Sequence, residues 1–72
     1  MKHSLPGLHI EVKRTERLNL YDALEQAIDD MAEDDIPVVL HRRNHKPWVA
    51  IVRLDDLPRL AILLYLHLAE KA

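Results

Sequence analysis

A strict alternation in Leu8-His9-Ile10-Glu11-Val12-Lys13 constrains this chain more than any other feature of its sequence. Side chains along an extended strand point alternately to opposite faces, so Leu8, Ile10 and Val12 are expected to enter a core while His9, Glu11 and Lys13 project together on the other side. The strand therefore aims a carboxylate and an ammonium from one rigid element. That pairing suits metal-assisted phosphodiester hydrolysis, in which an acid holds a hard cation and a lysine positions water or steadies negative charge.

The rest of the chain supplies the frame. Pro6 and Gly7 sit directly before the strand and predict a turn closing the segment Met1 to Gly7. After the polar stretch Arg14-Thr15-Glu16-Arg17, Asn19 is a good helix N-cap, with Asp22 at the capping-box position and Leu18 placed to staple against Ala23. Leu20, Leu24, Ala27, Ile28 and Met31 have helical spacing, and this helix is expected to end near Glu33 to Asp35. Val38-Val39-Leu40-His41, opened by Pro37, and Trp48-Val49-Ala50-Ile51-Val52-Arg53 read as two further strands. The short polar connection from Arg42 to Pro47 makes them a hairpin. Asp55 or Asp56 then caps a second helix, with Pro58 in its first turn. The expected fold is one small α/β or α+β domain over residues 1–72: a three-stranded sheet with a hairpin, one packing helix and an apolar C-terminal helix.

That last helix is apolar nearly all round, from Leu57 through Leu60, Ile62, Leu63 and Leu64 to Leu66 and Leu68. One small sheet cannot cover every side of it. The uninterrupted apolar stretch from Leu60 to Leu66 falls far short of the roughly 18 residues of a membrane span, and His67, Glu70 and Lys71 close it. A domain this short buries only about 60% of the surface its unfolded chain exposes. With no cysteine in its 72 residues it has no disulfide to compensate. A homodimer using the C-terminal helix is the expected source of extra buried area, in a reducing, cytoplasmic compartment.

The formal net charge of −2 excludes a surface that is polycationic throughout. Charge is nevertheless segregated, with acids in Asp29-Asp30 and Glu33-Asp34-Asp35 and bases in Lys13-Arg14, Arg17 and Arg42-Arg43-Asn44-His45-Lys46. If the bases converge, a local phosphate-binding surface survives on an acidic molecule. The single glycine, Gly7, excludes glycine-rich nucleotide-binding loops, so no nucleotide cofactor is expected. Five histidines show no local zinc pattern, although His41 and His45 flank a turn. There is no cysteine nucleophile, and Ser4 has no identifiable triad.

Four stretches together carry a likeness: Pro6-Gly7-Leu8-His9-Ile10-Glu11-Val12-Lys13-Arg14, then Glu16-Arg17-Leu18-Asn19-Leu20, then Ala23-Leu24-Glu25-Gln26-Ala27, then Pro37 to Trp48 with its Arg-Arg-Asn-His-Lys-Pro-Trp loop. The chain from about Pro6 to Leu57 resembles small phage-type nucleases of the PD-(D/E)XK superfamily, often described as Holliday-junction-resolvase-like. The resemblance implies a truncated restriction-endonuclease-like core and Mg²⁺ or Mn²⁺ as cofactor. It implies Glu11 as a metal ligand, Val12 as the source of a ligating carbonyl, Lys13 as the catalytic lysine and Gln26 as a supporting residue. DNA is the implied partner, and Arg14, Arg42, Arg43 and Lys46 are the groups expected to grip its backbone. The family also has a metal-binding aspartate upstream of the Glu-x-Lys pair, and Met1 to Ile10 contain no acid.

Other readings compete. Glu11 and Lys13 alone fit an ordinary ion pair on a half-exposed strand, Gln26 a solvent-facing helix residue, and the basic loop a solvated turn. Trp48 fits a core anchor better than a base-stacking platform. At the level of function the alternative is a non-catalytic dimeric module that binds DNA or another protein. An antitoxin of the prevent-host-death type is a further version of it, which the strand pair with Arg-Arg followed by Val-Arg-Leu-Asp-Asp-Leu resembles.

Overall fold

The computed structural model describes residues 6–70. The start of the expected leading turn, with His3 and Ser4, and the closing Lys71 lie outside those residues. The elements are β1 (Leu8–Arg14), α1 (Leu20–Asp30), β2 (Ile36–Arg42), β3 (Val49–Val52), a short 3₁₀ turn (Leu54–Asp56) and α2 (Leu57–Glu70). The fold is α+β, with the three expected strands and two helices. The sheet is mixed, in the order β1-β2-β3. β1 and β2 run parallel with Glu11 opposite Val39, while β2 and β3 pair antiparallel as the hairpin. α1 is the crossover that a parallel pair requires.

Each face of the sheet carries its own cluster. On one, Ala23, Leu24 and Ala27 of α1 pack on Val39, with Leu18 and Ile51 against them. On the other, Leu8, Ile36 and Val38 pack with Ile10, Leu40, Val52 and with Leu60 and Leu63 of α2. The pleat explains the division, since residues opposite each other in register share a face. His9, Glu11 and Lys13 thus lie on the α1 side, as the alternation predicted, and Leu8 and Ile10 on the α2 side. Val12 departs from expectation and is 44% exposed. The leucines of α2 cover the beginning of β1 and β2, leaving the last turn of that face open.

Local chemistry accounts for most boundaries. Asn19 is extended and its side-chain oxygen accepts from the Asp22 backbone N–H at 3.1 Å, so the predicted cap forms. α1 ends at Asp30, earlier than expected, because Met31 is already extended. Asp29 and Asp30 place carboxylates at the negative end of the helix, which disfavours another turn. The chain then turns through Ala32 to Asp35, whose N–H donates to the Ala32 carbonyl. β2 starts at Ile36, one residue before Pro37, where the Ile36 N–H donates to the Gly7 carbonyl at 2.8 Å. β3 is shorter than the segment predicted from Trp48 to Arg53. Asp56 is the one buried charged group among the described residues, and it accepts from Arg53 Nε at 2.6 Å.

Candidate nucleic-acid and metal site

Because β1 and β2 are parallel, their ends deliver the β1–α1 loop and the β2–β3 hairpin to the same edge of the molecule. Two hydrogen bonds join them: Asn44 N–H donates to Glu16 Oε1 at 2.9 Å, and His41 Nε2 lies 2.9 Å from the Thr15 carbonyl. The hairpin is fixed internally by Arg42 Nε donating to the Lys46 carbonyl at 2.9 Å and by His45 in the left-handed region, φ 63°. Arg14 and Arg42 line one hollow at this end together with Thr15, Glu16 and Asn44. Arg17 and Arg43 rim a larger one of ≈ 520 Å³, floored by Leu18, Leu20, Val49 and Ile51. Lys46 and Arg43 border a third hollow beside it. The basic groups separated in sequence therefore converge.

The opposite end is predominantly acidic, although Arg59 Nη2 donates to the Asp34 carbonyl there at 2.9 Å. Asp29 and Asp30 close α1, and Glu33, Asp34 and Asp35 fill the turn into β2. Between the two ends lies the face of β1 under α1. Lys13 Nζ donates to Gln26 Oε1 at 2.7 Å, which ties the strand lysine to the helix. Glu11 makes no ion pair with Lys13 among the described residues; its Oε1 instead meets His9 Nε2 at 2.9 Å. The competing reading of Glu11 and Lys13 as an ion pair with each other is thus not met, and each takes a different partner on the face they share. Lys13, Gln26, Asn19 and Asp22 border an open hollow of ≈ 250 Å³.

Asp30, which the sequence reading did not single out, completes this face. One ligand atom each from His9, Glu11 and Asp30 lies within 4.8 Å of the other two. The signal for it was geometric. α1 runs back over β1, and a four-residue helical step of about 6 Å nearly matches a two-residue strand step of about 6.6 Å. With Gln26 over Lys13, the residue four later stands over Glu11. His9 and Glu11 are half-buried and Asp30 is exposed, so the group opens to solvent.

Two carboxylates and an imidazole are suitable donors for a divalent cation, whereas Glu11 with a single backbone carbonyl would be a poor cage. The residues present therefore fit a metal ion. Trp48 is 48% exposed at the foot of the hairpin and is not a core anchor. Among the described residues no helix is long and apolar enough to cross a membrane. Comparisons of the chain with known protein families, with curated proteins and with solved structures find no match.

Proposed function

We propose that this chain is a minimal DNA-acting domain of the PD-(D/E)XK type, whose hydrolytic face is the α1 side of β1. The observation that carries the proposal is the 2.7 Å bond from Lys13 to Gln26, which holds an ammonium ready on the strand face that also bears Glu11. Glu11 contributes a carboxylate for a divalent cation, Mg²⁺ or Mn²⁺, and the Val12 carbonyl lies in sequence between the acid and the lysine. When bound, the cation supplies Lewis-acid polarisation and a more acidic water. Lys13 steadies the charge that develops on the phosphate, and Gln26 keeps its side chain in place. Arg14, Arg42, Arg43 and Lys46 grip the DNA backbone, since guanidinium forks and an ammonium match phosphate oxygens. The cysteine-free composition supports a cytoplasmic setting.

The test is incubation of the purified protein with supercoiled and with branched DNA in Mn²⁺, beside the Glu11→Ala variant. Nicking by the natural protein and its loss in the variant is the expected result. Equal behaviour of the two would end the hydrolase reading.

A second reading has its own support. Leu57, Leu64 and Leu68 with Ala61 form an exposed stripe along α2 at the alternating four-and-three spacing of a helix–helix seam. This favours a dimeric module joined through α2, which binds DNA by its basic end, or binds another protein, without cleaving.

A further inference from the structure

We infer that His9, Glu11 and Asp30 form a divalent-cation site that takes a first-row transition metal in preference to Mg²⁺. The inference rests on the hydrolase reading only in extending it to its cation, and binding is measured apart from cleavage so that either can fail alone.

Three observations lead to it. The donor atoms lie within 4.8 Å of one another, His9 Nε2 and Glu11 Oε1 pairing at 2.9 Å until a cation takes both, and they come from β1 and α1, which the Lys13–Gln26 bond joins directly and which both lie against β2, where Ala23 and Ala27 pack on Val39. The group sits at the C-terminal end of α1, whose last turn carries no basic residue and bears Asp29 and Asp30. A helix C-terminus is a region of negative potential that favours cations, and two carboxylates added there, with no basic residue in the same turn, deepen it. Finally, one of the donors is a nitrogen.

The nitrogen decides the metal. Mg²⁺ demands oxygen ligands in near-octahedral geometry and dehydrates reluctantly, so an imidazole in its coordination shell is unfavourable. Imidazole suits zinc and iron, manganese sits at the weak end of the same series while sharing the carboxylate preference of Mg²⁺, and three protein donors with a further position left to water is the pattern of metal sites open to substrate.

Mn²⁺ is the probe, because its electron-spin-resonance signal reports the free ion directly and Mg²⁺ can be titrated against it. Wild-type protein should bind one equivalent of Mn²⁺ at least about tenfold more tightly than Mg²⁺, and Asp30→Asn, which removes a direct ligand, should weaken Mn²⁺ by at least the roughly tenfold that losing an outer-shell partner alone costs. His9→Asn should remove most of the preference for Mn²⁺, while Asp29→Asn, one residue outside the group, should bind as wild type does. Circular dichroism establishes that each variant is folded, and Asp30 and Asp29 are exposed positions that tolerate the amide. Mn²⁺ binding indifferent to both Asp30→Asn and His9→Asn, or Mg²⁺ binding equal to Mn²⁺, overturns the inference. Binding as expected without any DNA cleavage upholds the ligand set and removes the hydrolase. Cleavage undiminished in Asp30→Asn removes the ligand set and leaves the hydrolase standing.

Discussion

Gly7 shows how much one residue can carry. Its φ of 85° lies in the left-handed region, its carbonyl receives the first hydrogen bond of β2, and a Cβ built on it would meet Leu63 Cδ1 at 3.0 Å. An L side chain in that conformation costs about 1–2 kcal/mol, and Leu63 must shift besides. Gly7→Ala should accordingly lower the unfolding free energy by about 1–2 kcal/mol in a urea titration, with the slope unchanged. Trp48 and Val12 show the limit of reading residues singly. Both are large and apolar, and both are about half exposed, because both lie outside the two clusters that α1 and α2 build on the sheet. Asp30 was hidden for a related reason: its importance lies in what it stands over, which no local spacing in the sequence displays.

Elements were more legible. Period two in β1, the Asn19 cap and the β-branched run of β2 each act over a few neighbouring residues, so the sequence shows them directly. The end of α1 was not legible, since its apolar pattern runs on to Met31 while the accumulated carboxylates and the return to Ile36 stop the helix sooner. In α2 the sequence displays the excess of apolar surface, and the structure sorts it by side. Leu60, Leu63 and His67 are half-buried toward the sheet side or the turn, whereas Ile62, Leu64, Tyr65, Leu66 and Leu68 are exposed. Two charge substitutions should therefore behave differently. Leu64→Glu should leave the circular-dichroism spectrum intact and convert a sedimenting dimer to monomer. Leu63→Glu should unfold the chain, because it drives a charge into the cluster around Leu8 and Ile36. A wild-type monomer, or a Leu64→Glu dimer, would refute the α2 seam.

For the whole molecule, parallel pairing of β1 with β2 is the organising fact. It collects the arginines of two loops at one end and the acids of α1 and its following turn at the other, so a chain of net charge −2 presents a concentrated basic end. Each phosphate neutralised contributes about 0.9 to the slope of log affinity against log salt on duplex DNA. Arg42→Ala and Lys46→Ala should each reduce that slope by about 0.9 in a salt titration, and a slope near zero for the wild type would remove DNA as the partner. The sequence displayed both charge blocks. What it left open was whether the two basic segments meet, which depends on strand direction.

A body whose cations predominate at one end and carboxylates at the other is polarised, even with Glu16 among the former and Arg59 among the latter, and a strongly charged polymer exerts a torque on it before any contact. Approaching a polyanion, this protein would be turned basic end first while its other pole is pushed outward. It would thus arrive already oriented, with the long axis of β1 aimed at the polymer, and an encounter that began sideways would be corrected in flight.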